Sequence, residues 1–242
     1  MIRPQLLQAQ SYRPTLKFLA RNLAAVPPAP ARFAAMAASS SPDIQRVNAF
    51  WFDRNPMEWF VPPPGFDDEV KAGFGDLVVR ARTTAELDGW AAEPDGAVAL
   101  VVLLDQLTRN VFRGSADAFS GDAKASAVAV RAVARGLDRA LPPVRAIALY
   151  MPLMHGETLL SQVAAVALLE RLKTRCAAAG GDDAAILPFV EKGLQAAQGH
   201  MDVIGRFGRY PSRNAILGRQ NTEEEEAFLK ETPGGLSGPP PK

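Results

Sequence analysis

The chain has 242 residues, 48% hydrophobic and 22% charged, enough to bury one good core without requiring a second domain. Its 27 basic and 26 acidic residues nearly cancel, which argues against a general nucleic-acid binder, and a single cysteine, Cys176, excludes an internal disulfide framework or a cysteine-rich zinc site. No apolar run approaches the roughly 18 residues needed to span a membrane, so no membrane insertion is expected.

Residues 1–42 contain Arg3, Arg13, Lys17, Arg21 and Arg32, no acidic residue, many alanines, a break at Pro27-Pro28-Ala29-Pro30 and a serine-rich end. This is the composition of an organelle transit peptide, for chloroplast or mitochondrion, with a mature start near Ala37 to Ser41; the alternative is a disordered tail on a cytoplasmic protein. Beyond this segment the chain has 22 basic and 26 acidic residues, so a cluster of arginines there is local positive charge on an acidic body.

The helical domain is expected over 43–231, opening at Ser41-Pro42-Asp43, an N-cap followed by a first-turn proline, with Ile44, Val47 and Trp51 at helical spacing. After Pro62-Pro63-Pro64-Gly65, Asp67 caps a helix with the stripe Val70, Phe74, Leu77, Val78 and Ala81, and Thr84 opens a short one through Trp90. Pro94-Asp95-Gly96 reads as a turn before a helix over 98–112 that is apolar nearly all round until Asp105, the mark of a central position. Further helices are expected from Asp122 to Arg135, from Pro142-Pro143 to Tyr150 with an interruption at Pro152, and from Leu159 to Leu172 with Val163, Val166 and Leu169 inward. Asp182 or Asp183 caps a long helix toward His200 and Ile204, and Thr222-Glu223-Glu224-Glu225 is a capping box before the last helix. The remaining 232–242 is a flexible tail rich in Gly and Pro. No segment alternates as a strand would, so the chain reads as all-α, with antiparallel hairpins packed in layers.

Three stretches carry the polar chemistry. Four arginines, Arg206, Arg209, Arg213 and Arg219, surround a corner made by Gly208, a left-handed cap, and Tyr210-Pro211, which restarts the helix. On the central helix Asp105 and Arg109, and Gln106 and Asn110, are four apart, so two adjacent faces turn polar just after a run sealed on all sides. His155 and Glu157 follow the methionine-rich turn Met151 to Met154, and His200 precedes the arginine block.

Together, Leu103-Leu104-Asp105-Gln106-Leu107-Thr108-Arg109-Asn110, Met151-Pro152-Leu153-Met154-His155-Gly156-Glu157 and the block Arg206 to Arg219 resemble the bacterial domain-of-unknown-function family 924, over roughly Ile44 to Leu229. The resemblance implies a tetratricopeptide-like arrangement of helical hairpins, which no visible repeat supports, and it implies no activity. Two positions depart from the family pattern: Leu107-Thr108 stands where Phe-Pro is usual, and Ser212 where a histidine is usual.

Like charges at one corner repel, so four arginines call either for carboxylate partners in a closed network, with Asp105, Glu157 and Asp202 as candidates, or for an anionic ligand. In the ligand reading Asp105, Gln106, Arg109, Asn110, Arg206, Arg209, Arg213 and Asn214 wall a cleft for a small phosphate or carboxylate compound, Arg109 and Arg206 converge, and His155, Glu157 or His200 moves protons. The protein is then a binding protein, a hydrolase or a transferase. The other class is a helical interaction module that grips an acidic peptide. No cofactor is implied, and the two histidines plus a carboxylate lack diagnostic metal spacing.

Overall fold

The computed structural model describes residues 41–59 and 61–232. The transit-peptide reading of 1–42 and the tail at 232–242 therefore fall almost wholly outside the described residues. The regular elements among the described residues are all helical, with no strand among them.

The first helix, α1, runs Pro42–Phe52, with Ser41 Oγ accepting from Asp43 N, and buries Val47 and Trp51. Trp59, in a short 3₁₀ turn, stacks on Trp51 with centroids 5.4 Å apart and donates its indole N–H to the Trp51 carbonyl. Helix α2, Phe66–Thr83, buries the expected stripe, and a 3₁₀ turn at Asp88–Ala92 stands where a short helix from Thr84 was expected.

The central helix, α3, starts four residues earlier than its apolar run suggests, at Pro94, which fits the first turn because it has no N–H to leave unpaired. Gly96 is inside the helix, not in a turn, and the position needs glycine because a Cβ there would lie 2.1 Å from the Trp90 carbonyl oxygen. From Pro94–Val101 the helix continues through a π-helical segment, Val102–Leu107, and ends in an α turn, Thr108–Val111. Everything from Gly96 to Thr108 is buried, including Asp105 and Gln106, so the polar residues do not mark emergence into solvent.

Helix α4, Asp122–Ala134, and helix α5, Pro143–His155, pack on α3. Pro152 does not interrupt α5: it lies one turn from the helix end in a stretch buried from Ala146 to Met154, and the helix passes through it. Helix α6, Leu159–Ala178, packs on α5 and, most extensively, on α7, Leu187–Phe207. Its inward face is Gln162, Ala165, Leu169, Leu172 and Cys176, while Val163 is half exposed. The face is rotated by one residue because Gln162 is drawn inside, where its amide donates to the carbonyls of Met154 and Gly156 that end α5. The turn Asp182–Ala185 is separate from α7, which begins anew because Pro188 has no N–H to continue the preceding turn.

Gly208 caps α7 with φ +69°, and Tyr210 leads into a 3₁₀ turn, Pro211–Arg213. The last helix, α8, spans Glu223–Glu231 behind the expected capping box: Thr222 Oγ1 accepts from Glu225 N at 3.2 Å and Glu225 Oε2 from Thr222 N at 2.7 Å. Val203, Ile204 and Tyr210 form a small second core with Phe207 and Phe228, so the corner between α7 and α8 is packed as well as charged.

Candidate functional site

Asp105 is fully buried on the π-helical segment of α3. Its carboxylate oxygens lie 2.8 and 2.9 Å from His155 Nδ1 at the end of α5, accept from the Gln106 amide, and have Arg109 Nη1 at 3.2 Å. Burial opposes the charge, but His155 and Arg109 outweigh it and hold the carboxyl well below the usual carboxylate range. A carboxylate only accepts, so His155 Nδ1 carries the hydrogen and Nε2 is the nitrogen left for proton transfer.

Asp122, the first residue of α4, is the second carboxylate of the cluster. Arg109 grips it with Nη1 at 2.9 Å and Nη2 at 3.0 Å, and Arg213 Nη1 is 3.4 Å from the same carboxylate. Burial raises its pKa against the opposing pull of Arg109. Gly121 brings α4 onto α3 so closely that a Cβ would sit 2.1 Å from the Leu104 carbonyl oxygen, which is what delivers Asp122 to Arg109.

Arg213 is 5% exposed, its guanidinium lying over the rings of Phe119 and Tyr210 at 4.7 Å from each centroid. Burial, with Arg109 nearby, pushes its pKa down. Among the described residues its Nε and Nη2 make no hydrogen bond, although both are buried. These two nitrogens form the side edge of the guanidinium, the fork that takes both oxygens of an oxyanion. Arg209 uses the same edge on Glu225, at 2.7 and 2.8 Å, and Arg113 uses it on Asp67.

His200 completes the interior. Its ring meets the Tyr210 ring edge-on at 5.5 Å and the His155 ring at 6.4 Å. Nδ1 is 2.7 Å from the Ala196 carbonyl, so Nδ1 donates, and Nε2 is buried without a partner among the described residues. Burial pushes its pKa down to about 4, with His155 and Arg213 adding to the effect, so the ring is neutral at pH 7 and Nε2 is an acceptor. Tyr210, against which both the histidine and the arginine pack, is fixed by donating to the Met154 carbonyl at 2.6 Å, and the Gln162 amide nitrogen lies 3.0 Å from its hydroxyl.

The sequence-predicted residues thus divide. Asp105, Gln106, Arg109, His155, His200 and Arg213 converge around Asp105, Asp122 and Tyr210. Glu157 joins at the edge, accepting from Tyr210 N at 2.8 Å and from both Nη atoms of Arg219. Arg209 closes on Glu225, which is 2% exposed and whose carboxyl it holds down at about 2. Asn214 donates to Asn221 Oδ1 and Glu225 Oε2 beside that pair. Asn110 turns away to Asp67 on α2. Arg206, half exposed, pairs with Glu224 at 2.8 Å and does not share the partners of Arg109, so it is Arg213 that reaches Arg109 across the fold.

Two carboxylates not singled out in the sequence, Asp122 and Glu225, supply most of the counter-charge. Each stands in the first turn of a helix, where an acid is ordinarily explained by the helix dipole, so only the fold distinguishes it. A cavity of about 160 Å³ lies elsewhere, lined by Asp138, Arg139, Tyr150, Arg171, Leu172 and Arg175. There Arg171 is paired with Asp138, and Arg175 donates to the carbonyls of Asp138 and Leu141, so its cations are largely committed to the protein. No group of three or more His, Cys, Asp or Glu among the described residues is arranged to hold a metal, and no helix among them is long and apolar enough to cross a membrane. Cys176 is fully buried and its thiol is pushed up by burial, consistent with a packing role.

Residues 47–233 match the family DUF924, described as bacterial protein of unknown function. The chain is also similar to a solved structure, the protein of unknown function ATU0120 from Agrobacterium tumefaciens, with 34% identity and a TM-score of 0.67 over 78% of this chain and 97% of that one. No curated protein matches the chain.

Proposed function

Since the chain belongs to the DUF924 family of bacterial proteins of unknown function, which brings no reaction with it, we propose a function from the site itself: the protein binds a small oxyanion, a carboxylate or phosphate, through the Nε and Nη2 edge of Arg213. The observation that carries this reading is the contrast among its arginines. Arg209 and Arg113 present that edge to a carboxylate, whereas the same edge of Arg213, whose guanidinium is buried against the Tyr210 ring that His200 also meets, has no partner among the described residues. A buried donor pair without an acceptor costs free energy that a bound oxyanion would recover. The Asp105–His155 pair, joined to Arg213 through Arg109 and Asp122, has the arrangement of an oriented base, so hydrolysis or transfer on the bound compound is the reaction class it would serve.

Thermal melting in phosphate, sulfate and acetate tests the binding. The wild type should be stabilised by oxyanions, as any native-state ligand stabilises, and Arg213→Lys, which keeps the charge but loses the fork, should respond at least tenfold more weakly in anion concentration. A wild type indifferent to all three would assign these nitrogens to water and end the reading. An acidic peptide that stabilises where small anions do not would favour the interaction module instead.

We propose further, from the composition of residues 1–42, that the chain is imported into a chloroplast or mitochondrion. Mass spectrometry of the endogenous protein should find a start near Ala37 to Ser41; a mature form retaining Met1 to Arg32 overturns import.

A further inference from the structure

The site's hydrogen-bond demand narrows the ligand class. Arg213 Nε and Nη2 are two donors, which call for two acceptor oxygens. His200 makes the opposite demand. Its Nδ1 hydrogen is committed to the Ala196 carbonyl at 2.7 Å, which leaves Nε2, also buried, as a lone pair calling for a donor. Both side chains pack against one ring: the Arg213 guanidinium lies 4.7 Å from the Tyr210 centroid and the His200 ring 5.5 Å from it. A bare carboxylate or sulfate satisfies the arginine and leaves the histidine unanswered.

Charge points the same way. Asp105 and Asp122 already balance Arg109 and Arg213, so a dianion would leave two uncompensated negative charges in the interior and a monoanion only one.

Resting on the oxyanion reading above, we propose that the natural ligand is a monoanion that also carries an O–H, with its anionic oxygens on the Arg213 edge and its hydroxyl donating to His200 Nε2. Two kinds of compound have this chemistry: a phosphate monoester in its monoanionic form, and a hydroxycarboxylate. Protonation of the ring does not rescue the plain anion near neutrality, because burial, with the Arg213 guanidinium nearby, keeps His200 neutral down to about pH 4.

Two matched pairs of probes test this by titration calorimetry on the full-length protein at about pH 5.5, where a phosphate monoester, with its second pKa near about 6, is mostly the monoanion. Methyl phosphate and methyl sulfate then have the same charge and shape and differ in the O–H; lactate and propanoate differ likewise. The donor-bearing member of one pair should bind at least tenfold more tightly, and the pair in which this occurs distinguishes the phosphate ester from the hydroxy acid. His200→Phe should abolish that preference, and a preference that persists in this variant overturns the assignment of the hydroxyl to His200; the wild-type comparison stands alone if this variant does not fold. Binding without preference in either pair overturns the proposal and leaves the oxyanion reading intact. No binding of any probe overturns both.

Discussion

Arg109 and Arg213 reach one carboxylate from distant parts of the chain: Arg109 holds both oxygens of Asp122 at 2.9 and 3.0 Å, and Arg213 has one of them at 3.4 Å. Arg109 also has Asp105 at 3.2 Å, so its cation is doubly met, whereas the side edge of Arg213 has no partner among the described residues. The cluster is thus a closed network on the Arg109 side and an open one on the Arg213 side.

The closed side should be costly to break. Asp105→Asn removes the charge that His155 and Arg109 face, at a fully buried position, and is expected to destabilise the protein by about 3 kcal/mol, the lower end for a broken buried pair because Arg109 keeps Asp122. Urea unfolding checks this: the midpoint should fall with the slope unchanged.

His200 should make stability depend on pH with a defined sign. The unfolded chain takes up a proton on His200 near pH 6.5, the folded chain only near pH 4. Between these values the unfolded state binds more protons, so the contribution is complete above pH 6.5 and is lost as pH falls, by about 3 kcal/mol at most. Asp122, whose pKa is raised, acts in the opposite direction at acid pH, so the effect is read as the difference between wild type and His200→Gln. A variant with the same acid slope as the wild type would show that His200 is not buried and neutral.

Two glycines should respond oppositely to alanine. Gly121→Ala places a Cβ 2.1 Å from the Leu104 carbonyl oxygen, which cannot yield without shifting α3 or α4, and should cost at least about 1–3 kcal/mol while moving Asp122 off Arg109. Gly73→Ala, inside α2 with nothing within 4 Å, should stabilise by about 0.5–1 kcal/mol. Chemical denaturation of both variants gives the signs.

Arg209→Ala should lower the melting temperature, because Glu225, which is also part of the α8 capping box, loses its bidentate partner. Adding Glu225→Gln should then cost less than Glu225→Gln does in the wild type. Additive losses in this double-mutant cycle would mean that the pair is not coupled.

Much of the fold was legible in the sequence because periodicity and caps act locally. Ser41, Gly208 and the Thr222 to Glu225 box each perform at their own position, and the stripe of α2 is buried as its spacing predicts. The misses occur where distant contacts override local preference. Gly96 reads as a turn until the Trp90 carbonyl is seen against it, and Val163 reads as inward until Gln162 is needed to meet the carbonyls ending α5. The site follows the same division. Asp105, Arg109, His155 and His200 were visible as residue types in polar motifs, but which arginine meets which acid depends on how α4 and the corner after Gly208 dock, and spacing along the chain does not encode that.

Thr108, where the resembled family has proline, bears on this docking. Its N–H and its hydroxyl, at 2.8 Å, both donate to the Leu103 carbonyl across the π-helical segment. A proline has neither donor and would free that carbonyl.

That segment also sets the direction of everything after it. A π turn is an α-helix with one residue inserted, so the residues beyond it are phase-shifted by about 100° around the axis. Before the shift the buried stretch of α3 from Ala97 to Val101 is wholly apolar; after it, Arg109 faces Asp122 on α4 while Asn110 and Arg113 face Asp67 on α2. Deleting one residue between 102 and 107 would restore the phase, leaving the first half seated in the core while swinging the second half's cations away from the acids they now hold.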